Sequence, residues 1–156
     1  MKLHVVCDIS GSMGDGGKSF TMRTLVMAVA QWVELGYGSA EVMLSSWATE
    51  ARNFDEWNST KEFPEEMLSC NGTSNWDALI QLLGESPDGK VLLLTDGFWP
   101  QGSAKFFRRW KECLPLDTLR IIKIGSDANP QLKGPDVFAA EDFFAALDDW
   151  LGARPT

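Results

Sequence analysis

Residues Lys90 to Thr95 read KVLLLT and run straight into Asp96-Gly97. This run shows no alternation of polar and apolar positions, so it does not suit a strand with one wet face. It is the pattern of a strand covered on both sides, which is the habit of parallel sheets. Parallel neighbours need crossover connections, so such a chain must also supply helices. Leu3–Cys7, Ala40–Trp47 and Leu119–Ile124 are further apolar strand candidates, with shorter ones at Ala51–Phe54 and Val137–Ala139. Between them fall helical patterns at Ser19–Leu35, closed by Gly36, and at Ala78–Leu83, Ala104–Cys113 and Glu141–Leu151. The first of these is apolar on most sides (Phe20, Leu25, Val26, Val29, Trp32, Val33), the mark of a buried helix. Ser74, with Asp77 three residues on, is the expected cap of the second. The expectation is an α/β fold: a Rossmann-like, open, mostly parallel sheet with helices on both faces and one short antiparallel edge strand.

The length of 156 residues suits a single domain. It is expected over residues 1–152, with 153–156 a short tail. The net charge is −8, which argues against binding a nucleic-acid backbone. Cys7, Cys70 and Cys113 are widely spaced, with no CxxC pair, so neither a zinc knuckle nor a disulfide framework is expected. No apolar run approaches the roughly 20 residues of a membrane span, and the apolar N-terminal stretch is too short for a secretory leader. A reducing, cytoplasmic setting is the expectation.

In open α/β sheets, ligands gather beyond the carboxyl ends of the strands. The first strand delivers Asp8, Ser10 and Ser12 in Asp8-Ile9-Ser10-Gly11-Ser12, and alternate residues of an extended segment point the same way. The KVLLLT strand delivers Asp96. If these strands are neighbours, two carboxylates face each other and repel unless a proton or cation intervenes. With Thr73, in the Asn71-Gly72-Thr73 turn, the candidate donors are all hard oxygens. Such a set favours Mg2+, with Mn2+ or Ca2+ as alternatives, over zinc or copper.

These five positions resemble the von Willebrand factor A domain and its metal-ion-dependent adhesion site. That site has Asp-x-Ser-x-Ser after the first strand, a Thr in a later Gly-Thr turn, and an Asp in Thr-Asp-Gly after the fourth. Asp8, Ser10, Ser12, Thr73 and Asp96 match in order, and the resemblance covers essentially the whole chain. It implies that Ser10 and Ser12 bind the metal directly and that Thr73 does so directly or through water. Asp8 and Asp96 would act largely through hydrogen bonds and bridging water. It also implies an open metal position filled by an Asp or Glu of a partner protein. Intracellular members of the family typically serve as adaptors in multi-protein assemblies, often beside AAA+ ATPases. No chemistry and no catalytic residue are expected.

Other readings compete. Segment 12–19, SMGDGGKS, resembles a phosphate loop and would make Lys18 and Asp96 parts of a Mg-dependent NTPase or phosphotransferase. Its first glycine is replaced by Ser12, where the loop needs one. A haloacid-dehalogenase-like phosphatase would need an Asp where Ser10 stands. The lone histidine, His4, lies within the first strand and reads as a sheet residue. Trp76 and Trp99 each follow a site residue by three positions. With Phe98, they are the expected partner-binding rim.

Overall fold

The computed structural model describes residues 1–37, 40–148 and 150–151. Its six strands are β1 (Lys2–Asp8), β2 (Glu41–Trp47), β3 (Ala51–Asn53), β4 (Gly89–Thr95), β5 (Leu119–Lys123) and β6 (Val137–Ala139). They lie in the order β3-β2-β1-β4-β5-β6. Every pairing is parallel except that of β3 with β2. The mostly parallel sheet with one antiparallel edge strand is as the sequence pattern predicts, and KVLLLT lies inside it.

Among the described residues four α-helices cover the sheet: α1 (Lys18–Trp32), α2 (Trp76–Leu83), α3 (Ala104–Cys113) and α4 (Phe143–Leu147). Side chains that alternate along each strand feed two cores. Leu3, Val5 and Cys7 of β1 join Leu92 and Leu94 of β4 under α1 and α4. Val6, Val91, Leu93 and Ile121 point the other way, toward α2 and α3.

The structure differs from the sequence expectation at three helices. α1 buries one face (Met22, Leu25, Val26, Val29, Ala30), while Phe20 is exposed. It passes into a π-turn at Val33–Tyr37, where Gly36 takes φ 90°, and so ends near the expected glycine. α2 is capped by Asn75, whose side chain accepts from the Asp77 N–H, and not by Ser74. The last helix stops at Leu147, well short of Leu151, because Asp148 turns extended. The chain then drops Trp150 into the core, where its indole N–H bonds to Asp117 O at 2.7 Å. Residue 149 and the expected tail at 153–156 lie outside the described residues.

The α2–α3 face is unusually aromatic. Trp76 packs at 4.6 Å from Trp47, 4.9 Å from Trp99, 4.8 Å from Phe107 and 5.8 Å from Trp110, between ring centroids. Trp76 is 1% exposed and is therefore core, contrary to its expected place on the rim. As the first residue of α2 its ring turns back onto the sheet, where burial of so large an apolar surface outweighs any gain from display. Trp76→Ala should cost about 3–5 kcal/mol of unfolding free energy in urea titrations. Phe98→Ala, at an exposed position, should change stability by less than about 0.5 kcal/mol.

Candidate metal centre

The register of β1 on β4 sets Cys7 opposite Leu94, so the two strands deliver their next residues side by side. Thr95 Oγ1 donates to Asp8 Oδ2 at 2.6 Å, and Asp96 follows immediately. Asp8 and Asp96 are both wholly buried. Asp8 also accepts from the Ser10 N–H at 2.9 Å, and from Ser74 Oγ at 3.4 Å. Beyond Asp8 the chain makes a 3-10 turn at Gly11–Gly14 before entering α1.

The loop before α2 is strapped over this end. Asn71 N–H donates to Ile9 O, and Gly11 N–H to Gly72 O, both at 2.9 Å. Gly72 has φ +81°, and a Cβ there would meet Thr49 Oγ1 at 2.5 Å, so the strap needs glycine at this point. The strap carries Thr73 and Ser74 to the strand ends. Thr73 is exposed, with its N–H bonded to Thr49 Oγ1 at 3.2 Å. It is Ser74, expected only as a helix cap, that reaches the Asp8 carboxylate.

Three further groups complete the cluster. Thr95 Oγ1 accepts from the Gly97 N–H at 3.0 Å and from the Trp99 indole at 3.1 Å while it donates to Asp8. Lys18, 3% exposed, places Nζ 3.1 Å from Asp96 Oδ2, 3.1 Å from Asp127 Oδ1 and 3.4 Å from Ser12 O. Asp127 lies on the loop after β5. The sequence signals for these residues are modest. Lys18 precedes Met22 and Leu25 by four and seven residues, the spacing of one inward helix face, and Asp127 stands just past a strand end. By sequence Lys18 reads as a phosphate-loop lysine, whereas its ammonium is held by two carboxylates.

Burial pushes the Asp8 carboxyl above its ordinary range. Hydrogen bonding from Thr95 and Ser10 opposes that rise, and the nearby charge of Asp96 adds to it. Burial also works against the Lys18 charge, but its bonds to Asp127 and Asp96 prevail and hold it above the ordinary lysine value. The Cys70 thiol, beside the same cluster, is pushed up to about 11 by burial, with Asp8 and Asp96 contributing.

The donor chemistry suits a hard divalent cation. Among the described residues no group of three or more His, Cys, Asp and Glu is placed to hold a metal ion, so hydroxyls must supply part of any coordination sphere. Ser10 is 3% exposed, and among the described residues its Oγ makes no hydrogen bond of acceptable geometry. A buried hydroxyl left so costs about 1–3 kcal/mol, and a metal–oxygen contact would remove that cost. Ser10 and Ser12, with Asp8 and Asp96, are the residues that would hold the ion, and Thr73 lies on the strap beside them. Phe98, 44% exposed, stands on the rim. Trp99 is half-buried, its ring packed on Trp76 and Phe107, and forms the inner wall of the site more than its edge. His4 lies four residues before Asp8 along β1 and bonds to Asp88 at 2.6 Å, away from the cluster.

No protein-family profile and no curated protein sequence matches the chain. Solved structures do match in fold. Manganese-loaded TRAP protein of Plasmodium vivax aligns with all of this chain and 75% of its own, at 15% identity and TM-score 0.64. Proximal thread matrix protein 1 of the mussel byssus, with a zinc-occupied MIDAS motif, aligns over 94% of this chain but 44% of its own (14% identity, TM-score 0.58). An aerotolerance-related membrane protein of Bacteroides fragilis aligns over 80% of this chain and 68% of its own (15% identity, TM-score 0.56). The chain thus has the von Willebrand factor A fold.

The raised Asp8 value has a consequence for stability. The folded state binds this proton more tightly than the unfolded chain does. Its contribution is therefore fully present below the ordinary carboxylate pKa and is lost as pH rises through the raised one. In metal-free buffer, wild type should lose unfolding free energy relative to Asp8→Asn as pH rises above the ordinary carboxylate range. A difference between the two proteins that does not change with pH would contradict this.

Proposed function

We propose that the protein is a divalent-cation-dependent protein-interaction module. The observation that carries the reading is a pair of wholly buried carboxylates on neighbouring strands, beside a buried Ser10 hydroxyl that makes no well-formed hydrogen bond among the described residues. A bound cation would neutralise Asp8 and Asp96 and offer a remaining coordination position to an acidic oxygen. Mg2+ is the expected ion, with Mn2+ or Ca2+ as alternatives. Structural neighbours that carry manganese, or zinc in a MIDAS motif, support a divalent metal here.

In this reading Ser10, Ser12 and Thr73 supply neutral oxygens, while Asp8 and Asp96 supply charge and orient the ligands through hydrogen bonds. Neutral ligands leave the cation hungry for an anion, so a partner's Asp or Glu completes it. The protein's own charge of −8 repels an acidic partner at long range, so the cation is where the sign reverses. One such contact is small, and affinity must also come from surface around it. Beside the strap runs a groove of about 510 Å³, bordered by Thr73, Asn75, Pro100, Lys105 and the exposed ring of Phe106. Lys105 gives this groove a positive charge, and the exposed Phe98 ring over Lys18 offers an aromatic anchor beside the metal.

The partner is another protein, fitting an adaptor role in a larger assembly such as one built on an AAA+ ATPase, and neither nucleic acid nor membrane. No helix among the described residues is long and apolar enough to cross a membrane. Three unpaired cysteines suit a reducing cytoplasm. The module carries out no reaction of its own. The competing phosphate-loop reading asks Lys18 to face a nucleotide, whereas Asp96 and Asp127 hold it.

Two measurements check the proposal. Millimolar Mg2+ or Mn2+ should raise the melting temperature of wild type, by the mass-action term of about 2.7 kcal/mol at a hundredfold excess over Kd. Asp8→Ala should show no rise. Once a partner is in hand, EDTA should abolish the complex and Phe98→Ala should weaken it severalfold. Purified protein should hydrolyse neither ATP nor GTP above background, and turnover lost in Lys18→Ala would favour the NTPase reading instead.

A further inference from the structure

Lysine is among the residues least often fully buried, and then only when paired. Lys18 is 3% exposed at the first turn of α1. Its ammonium has three hydrogens and finds three acceptors: Asp96 Oδ2, Asp127 and the Ser12 carbonyl. Two of the three, Asp96 and Ser12, belong to residues assigned to the cation. The chain makes room for this arrangement. Gly125 has φ +101°, and a Cβ there would stand 2.7 Å from Lys18 Cε and 2.8 Å from Asp127 Oδ1. The loop after β5 is thus shaped around the lysine stem and its outer carboxylate. The Phe98 ring lies 5.7 Å from Nζ, so the ammonium sits beneath the rim.

From this we infer that Lys18 is the site's own cation and an internal competitor of the divalent ion. The inference rests on the metal reading above. The ammonium neutralises Asp96 and keeps the carboxylate pair tolerable without metal. A divalent ion must take Asp96 over, leaving Lys18 to Asp127. Asp127 can follow it outward, since its side chain is 67% exposed. Lysine engagement and metal binding therefore oppose each other, and the coupling is reciprocal. The device keeps the unloaded domain folded and holds metal affinity low, so that the ion is gripped firmly only when a partner carboxylate helps to retain it.

The test is direct Mn2+ titration, reading free ion by electron paramagnetic resonance. Lys18→Met and Lys18→Gln should bind Mn2+ roughly tenfold or more tightly than wild type, the scale expected when one close like charge is removed. Both should melt lower than wild type without metal. Lys18→Arg keeps the charge and should not bind more tightly. Lys61→Met removes an exposed lysine elsewhere and should match wild type. Binding by the Met and Gln variants but not by wild type also supports the inference. Wild-type binding with equal or weaker binding in both variants overturns it and leaves the metal reading standing. Binding in no protein overturns both. Should the variants not fold, wild type alone decides, through nitrogen-15 NMR of its lysine ammonium groups. The Lys18 signal should shift as Mg2+ saturates the site, and a Lys18 signal unmoved at saturation overturns the inference.

Discussion

Asp8 and Asp96 stand at the carboxyl ends of adjacent parallel strands, and both are wholly buried. Two like charges so placed are not tolerated without compensation. Much of this end of the molecule answers to that requirement. Thr95 and the Ser10 N–H donate to Asp8, Phe98 N–H donates to Asp96, and Lys18 brings a full positive charge to Asp96. The strap at Asn71–Gly72 closes over the pair through backbone bonds to Ile9 and Gly11. A fold selected for stability alone would have little reason to keep two carboxylates here, since apolar replacements of buried charges are often neutral or stabilising. Their burial side by side is what gives the cation reading its force.

The aromatic core beneath the strap is connected to this chemistry. The Trp99 indole donates to Thr95 Oγ1, which in turn donates to Asp8. Trp99 is packed by Trp47, Trp76 and Phe107. The orientation of a carboxylate oxygen is thereby fixed by rings that have little freedom to move, since a close-packed interior transmits displacement. The rigid side of the site is thus the β4 side. Thr73 on its strap beyond β1 and Asp127 on the loop after β5 are both exposed, and adjustment to a ligand can occur there.

Much of this was legible in the sequence, and the limits have physical causes. Strand runs such as KVLLLT and LHVVC declare themselves because a two-sided burial leaves few polar positions and no alternation. The identity of the strand-end residues followed from that. The places of Ser74 and Trp76 are not legible locally, because local rules see only the helix start. The strap rotates that start so that Asn75 caps it, Ser74 faces Asp8 and the Trp76 ring lies inward. Lys18 was hidden by its resemblance to a phosphate-loop lysine. Only the placement of β5 beside β4 reveals the second carboxylate, Asp127, that anchors it. Such pairings depend on strand order, which no local pattern contains. The shortened last helix has a similar origin, since the reach of Trp150 to Asp117 is a long-range contact.

The central claim is that a divalent ion belongs among Ser10, Ser12, Asp8 and Asp96. The most direct measurement is a crystal structure of the protein grown with Mn2+, with the metal located by its anomalous scattering. The account predicts one anomalous peak in coordination contact with Ser10 Oγ at the ends of β1 and β4, with the Lys18 ammonium drawn away from Asp96. No peak there at saturating Mn2+, with Lys18 still bonded to Asp96, would contradict it.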